Sequence, residues 1–312
     1  MIKSFHMKAR LARKAISILI TLFLVSVIVY AVMSLIPGSR AQILFGDAVS
    51  ESTYQQWKGE DQTYLSWLGS VLQLDFGLSN AGSMPVSSLI ASRIPVSLVL
   101  ALCSLFLAAA FSAAVVFPAV LRPGRLTRLV YNFFSLISLC LPSFLLALIL
   151  ILVFSVWTGL LPSGGYVSFF SDPLASMKSL ILPSVSLGFL HSGLIMRMLY
   201  SSMQHELGQA YIRQVRAKGV SERQVLLKHV LPNVMSQMTV LVMQSFVVLF
   251  TSSAAVEYIF SVPGLGALTV SAIGRRDFNT IVALVLLGTL ASSISSGLGD
   301  LISDSRDRRV SG

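Results

Sequence analysis

The chain has 312 residues, of which 54% are hydrophobic and only 12% charged, with a mean hydropathy of +0.79. A soluble domain carries about a quarter charged residues, so this composition excludes an ordinary soluble protein and points to an all-α chain that crosses a membrane several times. The net charge of +10 would suit an anionic partner, but the basic residues are spread loop by loop, which argues against nucleic acid.

Residues 1–14 are short and basic, with Lys3, Lys8, Arg10, Arg13 and Lys14. Residues 15–36 are uncharged and apolar, and spanning the hydrocarbon core takes about 20 residues of helix. A cleaved signal peptide has a shorter apolar core ending in small residues, whereas this run ends in Met33-Ser34-Leu35-Ile36-Pro37. It reads as the first span. Residues 37–93 form a polar segment in which Trp57 and Trp67 suit the membrane–water interface. The second span is 94–121, a basic turn follows at 122–128 with Arg122, Arg125 and Arg128, and the third span is 129–156. Gly159, Pro162, Gly164, Gly165 and Pro173 mark residues 157–178 as a loop. The fourth span is 179–197, with Pro183 near its start, where a missing amide costs little. A polar stretch at 198–229 precedes the fifth span, 230–256. A connecting loop at 257–277 leads to the sixth span, 278–299, and 300–312 is a charged tail. The expectation is one membrane domain without an attached soluble domain.

Six spans put both termini on one side. That side holds 17 of the 23 Lys and Arg residues; Arg40, Lys58, Arg93, Lys178, Arg275 and Arg276 lie opposite. The excess of basic residues in cytoplasmic loops then predicts cytoplasmic N and C termini and a cytoplasmic 198–229 stretch. A seven-span arrangement would split the basic ends and lose this bias.

Within that stretch Gln209 to Pro232 forms a polar island between apolar runs. Arg213, Arg216, Lys218, Arg223 and Lys228 crowd into it, with Glu222 as its acid. Gly219 permits a positive φ and reads as the stop of one short helix. Ser221 and Gln224 have the spacing of a capping box that would start another, and Pro232 closes the segment. Tyr211, Ile212 and Val215 could form an apolar stripe flanked by Arg213, Arg216 and Lys218. The same cations could also serve anionic lipid.

A second polar segment, residues 257–277, carries the turn signal Pro263-Gly264-Leu265-Gly266. Its Glu257 and Asp277 could cap helices or pair with Arg275 and Arg276. In the fifth span Gln237, Thr239, Gln244 and Ser245 give unusual polarity, and Gln244 is the candidate for a pathway-facing side chain. His191 is the imidazole of the fourth span, and no second His or Cys lies at ligand spacing for a metal site, so a helix-packing or interfacial role accounts for it best. Cys103 and Cys140 sit in apolar runs as packing residues. Neither the phosphate-binding pattern G-x-x-x-x-G-K-[ST] nor G-x-S-x-G occurs, and no pair of intramembrane acids is available for proteolysis. The chain itself is expected to bind no nucleotide, cofactor or metal and to catalyse no bond chemistry.

The island resembles the cytoplasmic loop of ABC importer permeases, whose pattern is E-A-A, three residues, Gly, nine residues, I-x-L-P. Gly219, Leu231 and Pro232 fall in register; His229 replaces the Ile, and Arg213, Gln214 and Val215 occupy the E-A-A positions. That departure is similar to the first permease subunit of the dipeptide, oligopeptide and nickel group, with Y-[IV]-R-x-x-R-A-K-G matched by Tyr211, Ile212, Arg213, Arg216, Ala217, Lys218 and Gly219. Residues 256–266 fit the pattern V-E-x-[IV]-F-x-x-P-G-[LI]-G of that group, with Arg276-Asp277-Phe278 as its R-D-[FY]. Leu74 to Ser79, Leu161 to Tyr166 and Asp172-Pro173-Leu174 add to the likeness.

The resemblance implies a type I ABC importer permease bundle in the bacterial cytoplasmic membrane. Its implied partners are a second homologous permease, two ATPase subunits that bind ATP and Mg, an extracytoplasmic substrate-binding protein and membrane lipid. Tyr211, Ile212, Arg213, Val215, Arg216, Lys218, Gly219 and Pro232 would couple to the ATPase. Glu257, Phe260, Pro263, Gly264, Gly266 and Asp277 would form an element near the outer mouth. The cargo would be a peptide or a related small solute such as nickel. The alternatives are an ion-coupled secondary transporter, which would want acids or Lys well inside a span, and a membrane assembly protein.

Overall fold

The computed structural model of the chain describes residues 2–35, 63–79, 84–168 and 171–310. The predicted 37–93 segment falls outside the described residues over 36–62 and 80–83, which takes in Trp57, Arg40 and Lys58. The chain divides into two compact units, Met1–Val96 with Pro263–Gly297 and Ser97–Val262 with Leu298–Gly312. Among the described residues, four helices are long and apolar enough to cross a membrane: Arg13–Met33, Val86–Leu121, Pro173–Leu207 and Phe278–Gly297. Two bent helix pairs raise the number to 6 if each crosses as one span.

In the first unit, α1 (Ile2–Leu35) packs on the short α2 (Tyr64–Leu72). Tyr64 carries this contact: its hydroxyl shares a 2.8 Å hydrogen bond with Ser26, and its ring lies edge-on to Tyr30 at 5.3 Å. Trp67 packs on the same Tyr30 at 5.6 Å, so the aromatic anchor expected at the interface also holds α1.

The second unit contains most of α3 (Val86–Leu121), which starts ahead of the predicted 94–121 span. The predicted 129–156 span is not one straight helix. It splits into α4 (Arg125–Cys140) and α5 (Ser143–Leu150), which continues as π-helical Ile151–Trp157, with a 105° bend between the two halves. The cause is local. A residue before proline is driven out of the helical region, and Leu141 is extended at φ −86 and ψ 113 next to Pro142. Next comes α6 (Pro173–Leu207). It starts earlier than predicted because Asp172 caps it, accepting from the N–H groups of Leu174 and Ala175 at 3.0 Å each, with Pro173 in the first turn. Pro183 therefore sits in the interior of a helix, not near its start. Proline there costs roughly 3 kcal/mol in a soluble helix, a cost that neighbouring helices in a membrane bundle reduce.

The remaining elements are α7 (Ala210–Ala217), a single turn at Glu222–Gln224, π-helical Val225–Val230, α8 (Leu231–Ser252), α9 (Ala254–Ile259), α10 (Leu265–Gly274) and α11 (Phe278–Val310). The axis from Glu222 to Ser252 bends by 53° between Met235 and Gln237. The predicted 257–277 loop is largely helical. Gly264 stands at the N-terminus of α10 instead of ending a turn, and α10 has 10 residues, about half a membrane span.

The core of the second unit joins α3, α6, α7 and α8 through Val116, Met196, Met203, Ile212, Val225, Val230 and Met238. Small residues let the α3 and α6 backbones come close. A Cβ on Gly188 would lie 2.5 Å from the Ser104 carbonyl oxygen, and the Ser112 hydroxyl reaches the Ser192 carbonyl at 3.0 Å. Close approach through small residues is how helices associate where lipid removes the hydrophobic driving force. Tyr131 of α4 stacks on Tyr200 of α6 at 4.3 Å.

Candidate functional site

The polar island folds as predicted around its glycine. Lys218 ends α7, Gly219 follows at φ +78, and its N–H donates to the Arg216 carbonyl at 3.0 Å. This left-handed residue turns the chain back so that Arg216 meets Glu222 in a two-point ion pair, Nε to Oε1 at 2.7 Å and the second nitrogen to Oε2 at 2.9 Å. Both partners are partly exposed, so the pair fixes geometry more than it adds stability. The expected capping box does not form. Ser221 precedes the Glu222 turn, but its side chain makes no capping bond, and the π-helical turn takes up Val225 where Gln224 should have reached back.

The apolar stripe divides. Ile212 is fully buried among Met203, Val225 and Val230, and Val215 packs against the same cluster. Both side chains anchor α7 to its own bundle; Ile212 is sealed from any partner, whereas Val215 stays partly exposed. Arg213, Gln214 and Lys218 face outward. Tyr211 lies at the edge, where its hydroxyl donates to Oε1 of Glu206 at the end of α6. Asn233, in the first turn of α8, donates from Nδ2 to the same Glu206 oxygen at 2.8 Å and to the Tyr211 hydroxyl oxygen at 3.0 Å. Desolvation first, and donation to Glu206 second, push the Tyr211 hydroxyl up to about 12. Pro232 is exposed at the start of α8 and supplies no N–H for the carbonyl one turn back, just after the π-helical turn.

In the second segment Glu257 is completely buried, and its Oε1 accepts from Ser97 of α3 at 2.8 Å and from Ser253 at 2.7 Å. Phe260 is buried just after α9, and its carbonyl accepts from the Gly165 N–H at 2.8 Å. A Cβ on Gly164 would sit 3.0 Å from that carbonyl oxygen. The chain needs glycine at Gly164 to approach so closely. In the other unit Asp277 caps α11: Thr280 donates from its N–H to Oδ1 at 3.3 Å and from its hydroxyl to Oδ2 at 2.8 Å. The buried Ser79 hydroxyl also donates to Oδ2, and Asn279 Nδ2 reaches the Leu78 carbonyl at 3.0 Å. The Leu74–Ser79 and Arg276–Phe278 motifs, nearly 200 residues apart, are thus one structural unit. Both α9 and α10 end with a residue in the left-handed region, Ser261 and Arg276, each at φ +52. Val262 N–H returns to the Glu257 carbonyl and Asp277 N–H to the Ala272 carbonyl, each at 2.8 Å, the closure usually built on glycine.

Residues 106–312 match the family described as the binding-protein-dependent transport system inner membrane component. A protein named as a peptide transport system permease of Brucella abortus is 34% identical over 97% of this chain and 99% of its own length. The glutathione transport system permease protein GsiC of Escherichia coli is 35% identical over 89% of this chain and 90% of its own. The chain belongs to this permease family. It is a multi-pass inner-membrane transport subunit of a bacterial ABC importer, and ATP hydrolysis falls to a separate polypeptide. A chain of the MetNI methionine ABC transporter, solved in inward facing conformations, shares the fold with TM-score 0.53 and 21% identity over 69% of this chain and 96% of its own.

In this permease the polar side chains of the membrane helices are placed unevenly. Gln244 is exposed on α8 and Ser245 beside it is buried. His191 is buried in α6, and its Nδ1 has no hydrogen-bond partner; no cluster of metal-binding side chains occurs among the described residues. Sequence reasoning missed Glu206 and Asn233. They lie outside the glycine-centred motif, and only the folding of α6, α7 and α8 onto one another brings them to Tyr211.

Proposed function

We propose that the chain is the first permease subunit of a peptide-type importer. It pairs with a second homologous permease, with two ATPase subunits that bind ATP and Mg, and with an extracytoplasmic binding protein that delivers the cargo. The cargo is a peptide or a peptide-like small solute, in keeping with the peptide and glutathione permeases it resembles over nearly its full length; nickel is the competing cargo within the same group. The termini and the island face the cytoplasm. The observation that carries the coupling role is α7 itself. Buried Ile212 ties it to the bundle while Arg213 and Lys218 face outward, the arrangement a docking helix needs. Closure of the ATPase pair would push on this face and move α6 and α8, opening the pathway alternately to the two sides. The α9–α10 segment, with Glu257, Phe260, Pro263, Gly264, Gly266 and Asp277, would shape the outer mouth, and Gln244 would face the pathway.

Two measurements test this. In vesicles holding the full complex, ATP-driven, vanadate-sensitive uptake of a labelled dipeptide is expected, with no uptake driven by an ion gradient alone. Gly219→Pro should insert normally but lose co-purification of the ATPase, because proline cannot adopt φ +78. Normal recovery of the complex would overturn the docking role of the island.

A further inference from the structure

Anchoring by Ile212 and Val215, three residues apart on one face, leaves α7 a pivot. Two apolar side chains on one face resist withdrawal of an eight-residue helix but not its rolling about the line that joins them. Rolling would dissipate any push delivered to the outward face before it reached the long helices. The hydrogen bonds around Tyr211 supply what the pivot lacks. Tyr211 lies one residue, about 100° around the helix, from Ile212. Each of its two partners belongs to a different helix: Glu206 to the end of α6 and Asn233 to the start of α8. The three side chains close a triangle. Glu206 Oε1 accepts from both others, and Asn233 donates to both. The Tyr211 hydroxyl also lies 3.4 Å from the His229 carbonyl, on the turn leading into α8. At the far end of α7, the Arg216–Glu222 pair braces the loop against the Gly219 turn.

We propose that Glu206, Tyr211 and Asn233 form a directional knot that turns displacement of α7 into joint movement of α6 and α8, and so sets how much solute moves per ATP hydrolysed. All three are positioning residues, and none need touch cargo or nucleotide. The proposal rests on the coupling role of α7 given above. With its ionisation pushed up to about 12, Tyr211 keeps its proton and remains a donor at every physiological pH.

The test uses the complete complex in vesicles and reads dipeptide uptake divided by ATP hydrolysed in the same sample. Asn233→Leu and Tyr211→Phe should each lower that ratio by about fivefold or more, the lower end of ordinary coupling free energies. Glu206→Gln should hold the ratio near wild type, since its amide oxygen can accept both bonds, while Glu206→Leu should lower it. A merely stabilising role predicts less assembled complex at an unchanged ratio. An unchanged ratio in Tyr211→Phe, or an equal loss in Glu206→Gln and Glu206→Leu, overturns the knot. Tyr211→Phe removes one oxygen and keeps the ring, so it decides the matter even where Asn233→Leu fails to assemble. Cross-linking of Arg213→Cys to the ATPase reads the docking role separately. No cross-link refutes the docking of α7, and a cross-link with an unchanged ratio refutes only the knot.

Discussion

Gly188 and Gly219 have different reasons to be glycine, and the two predict losses of different size. At Gly219 the φ of +78 is the constraint, and no atom lies within 4 Å of a built Cβ. Gly219→Ala should therefore cost about 1 kcal/mol of backbone strain. At Gly188 the backbone is ordinary helix, but an added Cβ meets the Ser104 carbonyl oxygen at 2.5 Å. Gly188→Ala should force α3 and α6 apart and cost about 1–3 kcal/mol, the usual range for overpacking. Thermal unfolding in detergent should rank Gly188→Ala as the more damaging. Conversely, Arg276 occupies the left-handed region at φ +52, so Arg276→Gly should raise stability by about 1 kcal/mol. Tyr211 gives a pH prediction. Its folded pKa of about 12 lies above the unfolded value of about 10, so the fold favours the protonated hydroxyl. The stabilisation is present in full below pH ~10 and is lost as pH rises through about 12. The tyrosinate absorbance of wild type minus that of Tyr211→Phe should accordingly show no ionisation step near pH ~10.

At the scale of elements, buried polar side chains do work that hydrophobic contact cannot do between lipid-facing helices. Ser97 and Ser253 both donate to Glu257 and tie α3 to the start of α9. Removing one hydroxyl should cost about 1–2 kcal/mol, and Glu257→Ala more, because it leaves two buried hydroxyls without this acceptor. Thermal midpoints of Ser97→Ala, Glu257→Ala and the double variant should show strong non-additivity, and additive effects would separate the two residues. The sequence showed Glu257 and Asp277 as members of a motif and offered helix capping or pairing with Arg275 and Arg276 as their ordinary roles. Asp277 does cap α11, whereas the hydroxyl partners of Glu257 come from α3 and from its own turn. The predicted loop at 257–277 hid α10 because Pro263-Gly264 reads as a turn whether or not a helix follows it.

For the whole molecule, the charge asymmetry of the loops gives a test that needs no structure. Arg213→Cys and Lys178→Cys should be labelled by a membrane-impermeant thiol reagent from opposite sides, Lys178→Cys in intact cells and Arg213→Cys only in inverted vesicles. Labelling of both from one side would overturn the six-span orientation.

Local chemistry alone determined much of this protein. Apolar run length marked the membrane segments and Gly219 announced its turn, because each of these depends on a few adjacent residues meeting lipid or a forbidden backbone region, and the basic residues predict a side for each loop that the labelling above tests. Only the tertiary structure decided which side of α7 is buried, that the Leu78–Ser79 pair meets Asp277 and Asn279, and that Glu206 and Asn233 converge on Tyr211. Hydrogen bonds between residues distant in sequence leave no periodic trace along the chain. They exist only once helices have approached within about 3 Å at chosen points.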